Sequence, residues 1–182
     1  MAPDGGRPKA APAHDKAAPA HDSTSVTVAV DASPARAFTA FTAEIDGWWQ
    51  RGLRFRNGGT GASVMRLEPG VGGRLIERVG AGADAREVEL GRVVAWDPPR
   101  GLELQWRNAN FATHEWTRLV IRFEAVGART HVTVRHHGWA ALPPDHPARH
   151  GEEGAAFVRR MGRWWGDVLT ALRLHLAAGG PP

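Results

Sequence analysis

The chain has 182 residues, 42% of them hydrophobic and 23% charged, which is enough for one globular domain with a core of its own. It contains no cysteine, which excludes disulfides, thiolate metal sites and a cysteine nucleophile. The net charge is +4, and all 23 basic residues except Lys9 and Lys16 are arginines scattered along the chain; a nucleic-acid footprint gathers its basic residues on one face, so no nucleic-acid partner is expected.

Residues 1–23 are rich in Ala, Pro, Asp, His and Lys, and the heptad from Lys9 to Asp15 is repeated without change from Lys16 to Asp22. Pro12 and Pro19 break any helix, and no large apolar side chain precedes Val26. This composition predicts a disordered leader, followed by a single domain over residues 24–180. A flexible pair such as His14 and His21 would hold a metal only weakly, so no metal is expected there. No apolar run approaches the roughly 18 residues that cross a bilayer, and no apolar stretch follows Met1. A cytoplasmic protein without a membrane span is expected.

Val26, Val28 and Val30 alternate with Thr27 and Ala29, the period of a half-buried strand. Ser33 and Pro34 then have the chemistry of an N-cap and a first helical residue. Phe38 and Phe41 fall on the inner face of that helix. A second short helix is predicted over residues 44–49, ending in Trp48 and Trp49, and a polar, Gly-rich loop over 50–61.

Strands follow in succession over residues 63–67, 74–79, 87–96, 102–106, 115–125 and 130–137. Val88, Leu90, Val94 and Trp96 are placed on one face of the third of these; Leu119, Ile121 and Phe123 share a face of the fifth. Arg118 and Arg122 lie opposite, where Glu77, Glu87, Glu89 and Glu103 are expected to pair with them. His136 and His137 must face opposite sides of their strand, so one is interior and the two cannot chelate one metal.

From residue 151 to 178 the period becomes helical, with Phe157, Met161, Trp165, Val168, Leu172 and Leu176 on one stripe. Glu152 and Glu153 are assigned to its first turn and Arg173 and His175 to its last, matching the dipole. Gly162 and Gly166 are read as points of close helix–sheet approach. The class is therefore α+β: a curved antiparallel sheet of about seven strands wrapped around a long C-terminal helix, with two short helices after the first strand. A sheet wrapped in this way leaves a tapering space beside the helix.

Pro34 to Phe38 leading to Trp48 and Trp49, the Pro69–Gly73 turn, the segment from Gly91 through Asp97 and Pro99 to Trp106, the Thr130–Gly138 strand and the helix around Trp164 and Trp165 resemble, in order and spacing, the START-like, helix-grip superfamily. Within it they resemble the branch named for the Hsp90 ATPase activator. The paired tryptophans, the end of the Leu102–Trp106 strand and the Thr130–His136 strand are also similar to self-resistance proteins of enediyne producers. Some of those are cleaved at a glycine, and the loop from Asn108 to His114 contains none. The resemblance implies the helix-grip fold and a hydrophobic cavity between sheet and helix.

Eight tryptophans and no tyrosine make an unusual aromatic set. Tryptophan stacks on planar ligands and also packs cores, and both readings remain open for Trp106 and Trp165. The ligand-contacting set is assigned as Trp48, Trp49, Trp106, Phe111, Trp116, His136, Met161 and Trp165. No Gly-x-Ser-x-Gly, phosphate-binding loop, His-Glu-x-x-His or cofactor fingerprint is present. The residues therefore point to a protein that binds a hydrophobic or polyaromatic small molecule without a cofactor, and the resemblance to the enediyne self-resistance proteins implies a place in natural-product biosynthesis or self-resistance. The alternatives are a chaperone-interaction module and a cyclase- or hydrolase-like enzyme using the interior histidine.

Overall fold

The computed structural model of the protein describes residues 22–179. The repeat-bearing leader, with His14 and His21, lies outside the described residues except for its last two positions. These belong to the domain: Ser23 starts the first strand, and the buried Asp22 accepts hydrogen bonds from the Gly138 and Ala140 amides.

The elements in chain order are β1 (Ser23–Val30), α1 (Pro34–Ala43), α2 (Ile45–Trp48), β2 (Ser63–Leu67), β3 (Arg74–Val79), β4 (Arg86–Asp97), β5 (Gly101–Trp106), β6 (Thr117–Val126), β7 (Arg129–His137) and α3 (Gly154–Ala177). Ser33 caps α1 by accepting from the Arg36 amide at 3.2 Å. The seven strands form one sheet in the order β1-β7-β6-β5-β4-β3-β2, antiparallel throughout.

Two irregularities in β4 curl this sheet. Leu75 pairs with Gly91 but Ile76 with Glu89, so Leu90 is an extra residue; Val93 pairs with Leu104 but Ala95 with Glu103, so Val94 is another. Each bulge bends the strand and inverts the alternation of faces beyond it. Val88 and Leu90 face the core, then Val93, and Val94 does not: strict alternation placed Val94 inside. After the second bulge Trp96 returns to the inner side and meets the Phe38 ring at 5.1 Å. Gly91 sits at the first bulge, where a Cβ would come within 2.8 Å of the Gln105 carbonyl oxygen.

The helix α3 begins at Gly154, so Glu152 and Glu153 precede its first turn, and Arg173 lies a turn before its end. It runs along β1, where a Cβ on Gly162 would meet Thr24 Oγ1 at 3.1 Å; Gly166 has no such neighbour. Its inner stripe of Phe157, Trp165, Val168, Leu169 and Leu172 is fully buried. Beneath its C-terminal half the interior is filled by Phe38, Phe41, Trp48 and Phe123, with ring separations of 5.2–5.7 Å.

The outer face of the sheet is a mosaic of ion pairs. Glu103 bridges Arg118 and Arg122, Arg74 meets Glu68 and Glu87, and Arg92 meets Glu89. Of the four glutamates expected at Arg118 and Arg122, Glu103 is there; Glu87 and Glu89 pair with Arg74 and Arg92 on neighbouring strands instead, and Glu77 faces inward and is fully buried. No helix is long and apolar enough to cross a membrane among the described residues.

Candidate functional site

Trp49 stands where the end of α2 meets the Gly-rich loop. Its ring lies nearly parallel to Trp106 at the end of β5, at 6.1 Å and 21°. Trp164 closes on both edge-on, at 5.9 Å from Trp49 and 6.4 Å from Trp106, and Phe55 stacks on the outer side of Trp164 at 6.0 Å. These rings wall a cleft of about 620 Å³ beside the N-terminal half of α3, a size suited to a small organic molecule. Phe111, Trp139 and Met161 extend the wall, and Arg54, Arg160, Arg163, Asn108, Asn110 and His150 line the rim.

The loop that carries Phe55 is held on three sides. The Trp49 and Trp164 indoles donate to the Phe55 and Arg54 carbonyls at 3.1 and 2.9 Å. The Glu77 carboxylate accepts from the Asn57 amide, the Asn57 side chain and the Gly58 amide at 2.7–2.9 Å. Arg56 is buried and donates to Asp46 Oδ1 and to the carbonyls of Asp46, Trp49 and Gln50. Asp46 resists protonation: burial raises its pKa, but the Met65 amide and Arg56 outweigh that and hold it below the ordinary range. The polar, Gly-rich loop is thus fixed by two buried charged side chains, Arg56 and Glu77.

Under the cleft floor lies a directed chain of hydrogen bonds. The Trp165 indole N–H donates to His136 Nδ1 at 3.1 Å. An indole can only donate, so the imidazole proton is on Nε2 and is given to Thr117 Oγ1 at 2.8 Å. The Thr117 hydroxyl then donates to the Trp106 carbonyl at 3.3 Å. Burial, with His137 as the second cause, lowers the His136 pKa to about 3, so the ring is neutral near pH 7. Both ring nitrogens are engaged and the side chain is fully buried.

The eight residues assigned from sequence divide evenly. Trp49, Trp106, Phe111 and Met161 line the cleft; Trp48, Trp116, His136 and Trp165 do not. Trp48 is buried in the core, with its indole donating to the Ala40 carbonyl at 2.8 Å. Trp116 lies under the Arg107 guanidinium at 5.0 Å. The set assigned from sequence omits Phe55, Trp139, Arg160, Arg163 and Trp164, all of which line the cleft. Arg160, Met161 and Trp164 share one helical face, a spacing that could have revealed the α3 wall. Phe55 sits in an irregular loop and has no such signal.

His146 is buried too; it meets Glu115 at 3.0 Å and the Phe111 ring at 4.8 Å, which holds Phe111 in place. His150, four residues further on, lines the cleft rim. No cluster of three or more metal-ligating side chains occurs among the described residues.

A seven-stranded antiparallel sheet curled round a long C-terminal helix, with short helices after the first strand and an aromatic cleft beside the long one, defines a helix-grip protein. The chain belongs to the family described as Activator of Hsp90 ATPase homolog 1-like protein, whose model matches residues 31–176. No curated protein matches the sequence. Among solved structures it is similar to the Aha1 dimer from Colwellia psychrerythraea, with 17% identity over 87% of this chain and 98% of that one and a TM-score of 0.59. DynU16, from the dynemicin biosynthetic locus, matches with 17% identity over 88% of this chain and 49% of that one, at a TM-score of 0.58. CalU16 from Micromonospora echinospora matches with 15% identity over 88% and 76%, at 0.53. At these identities the likeness is one of fold.

Proposed function

We propose that the protein binds a hydrophobic or aromatic small molecule in the cleft beside α3, acting in the cytoplasm as a carrier or sequestering protein. The single observation that carries this reading is the wall of Trp49, Trp106, Trp164 and Phe55: four aromatic rings from three separate parts of the chain converge on one opening. Trp49 and Trp106 are buried and back the wall, while the half-buried Trp164 and Phe55 present the ring surface a planar guest meets, at little entropic cost because each is already held by a neighbour or a hydrogen bond. The likeness to a protein of the dynemicin biosynthetic locus supports a place in natural-product biosynthesis or self-resistance.

The test is a tryptophan-fluorescence titration with neutral polyaromatic compounds. Saturable quenching that Trp164→Ala weakens supports the reading, and a response that is linear in every compound tried overturns it. Family membership supports a second reading, an interaction module for an Hsp90-type chaperone. A change in the ATPase rate of the chaperone from the same organism would favour it, and an unchanged rate would count against it.

A further inference from the structure

The charged side chains at this cleft are of one sign. Among the described residues that line it, none is an aspartate or glutamate, while Arg54, Arg56, Arg160 and Arg163 all contribute. Three of these guanidiniums are engaged with carboxylates outside the lining. Arg54 meets Asp167 at 2.8 Å, Arg56 meets Asp46 at 2.6 Å and Arg160 meets Glu152 at 2.9 Å. Arg163 differs: it is exposed, borders the cleft and has no ion-pair partner among the described residues. It lies one helical turn from Arg160 and beside Trp164, so its charge sits at the edge of the aromatic wall.

A second feature has the same polarity. Trp139 is buried at the cleft wall, and its indole N–H has no hydrogen-bond partner among the described residues. A buried donor without an acceptor is destabilising. The guanidinium without a counter-charge favours an occupant that brings an anion, and the closed-off indole adds no acceptor to the wall that would compete for it.

We infer that the cleft selects planar aromatic molecules bearing an anionic group, with the rings against Trp49, Trp106 and Trp164 and the anion at Arg163. A carboxylate, sulfonate or phosphate would satisfy the same geometry, because each offers a pair of oxygens that can accept the two parallel N–H bonds of a guanidinium fork. This inference rests on the proposed binding function and narrows its ligand class.

The test compares two probes that share their ring system: anilinonaphthalene sulfonate and its neutral analogue phenylnaphthylamine, which lacks the sulfonate. Each is titrated into the native full-length protein. The expected result is that the sulfonate binds about five- to tenfold more tightly than the neutral probe, the size of one charge-assisted contact at a partly exposed site. The preference shrinks as salt is raised. Arg163→Gln removes the preference, whereas Arg159→Gln, a change at an exposed arginine of the same helix away from the cleft, leaves it intact. Equal binding of both probes overturns the anion inference and leaves the binding function standing. A preference that survives Arg163→Gln overturns the assignment to Arg163. Binding of neither probe overturns the binding function itself.

Discussion

The indole N–H of Trp165 donates to Nδ1 of His136 at 3.1 Å, and this one bond fixes which imidazole nitrogen carries the proton. The bond joins the centre of α3 to the inner face of β7, so helix docking and histidine ionisation are linked. A protonated ring would carry a hydrogen on Nδ1, facing an indole N–H that cannot accept it.

That linkage predicts a pH dependence of stability. The folded pKa is lowered to about 3, while the unfolded histidine keeps its ordinary value near 6.5. The contribution of neutral His136 is fully present above about pH 6.5. Between there and about pH 3 the unfolded state takes up the proton first, so stability falls as pH falls, by about 1.4 kcal/mol per pH unit at the steepest. Urea unfolding at a series of pH values measures this. His136→Gln, which keeps one acceptor and one donor, should flatten the difference between pH 7 and pH 5; an equal slope in both proteins would contradict the account.

Trp164 and Trp165 are adjacent and should respond in opposite ways. Trp165 is fully buried and Trp164 lies half-buried at the cleft. Trp165→Ala is expected to cost about 3–5 kcal/mol of stability, with the His136 acceptor left unpaired as well. Trp164→Ala is expected to cost under about 2 kcal/mol and to weaken binding of an aromatic probe. Thermal unfolding and probe titration of the two variants separate the roles.

Glu77 should govern the order of the Gly-rich loop. Its fully buried carboxylate accepts the Asn57 and Gly58 amides. Glu77→Ala strands those donors and is expected to cost about 2–3 kcal/mol. Amide exchange at Asn57 and Gly58 should quicken while that of the β6–β7 core stays slow. Unchanged exchange at those two amides would show that the loop is held by other contacts.

Arg56 should not tolerate lysine. Its guanidinium serves the Asp46 carboxylate and four backbone carbonyls, those of Asp46, Trp49, Gln50 and Ser63, from a buried position, and an ammonium cannot reach so many acceptors in that geometry. Arg56→Lys is expected to destabilise by about 3–5 kcal/mol, as when one partner of a buried pair is removed. Chemical denaturation measures it, and a loss below about 1 kcal/mol would contradict the assigned role.

The fold was legible because its signals are local and repeated. Alternation in β5 to β7, the Ser33–Pro34 helix start and the stripe from Phe157 to Leu172 each predict their own element. The succession of short links predicts the antiparallel order. Val94 was misplaced because a bulge depends on the partner strand, and nothing in the β4 sequence alone marks where β5 will skip a residue. Glu77 was misread for a related reason. A charged residue on a strand ordinarily faces water, and its acceptor role exists only once Asn57 and Gly58, 19–20 residues earlier, fold over it.

The cleft was half legible. Trp49, Trp106 and Met161 carry the burial and aromatic signals that mark a wall, but the same signals belong to Trp48 and Trp165, which pack the interior. Residue type alone does not separate a ring that lines a space from one that fills it. Phe55, Arg160 and Arg163 reach the cleft through a loop path and a helical face that only the assembled domain brings together.

The most direct test follows the indole N–H resonances of the eight tryptophans by two-dimensional nitrogen–proton NMR as phenylnaphthylamine is added. The account predicts saturable shifts of the Trp49, Trp106 and Trp164 signals with one common affinity, and little movement of Trp96 and Trp116. Signals that never saturate, or shifts led by Trp96 or Trp116, would contradict the claim that these three rings form a binding wall.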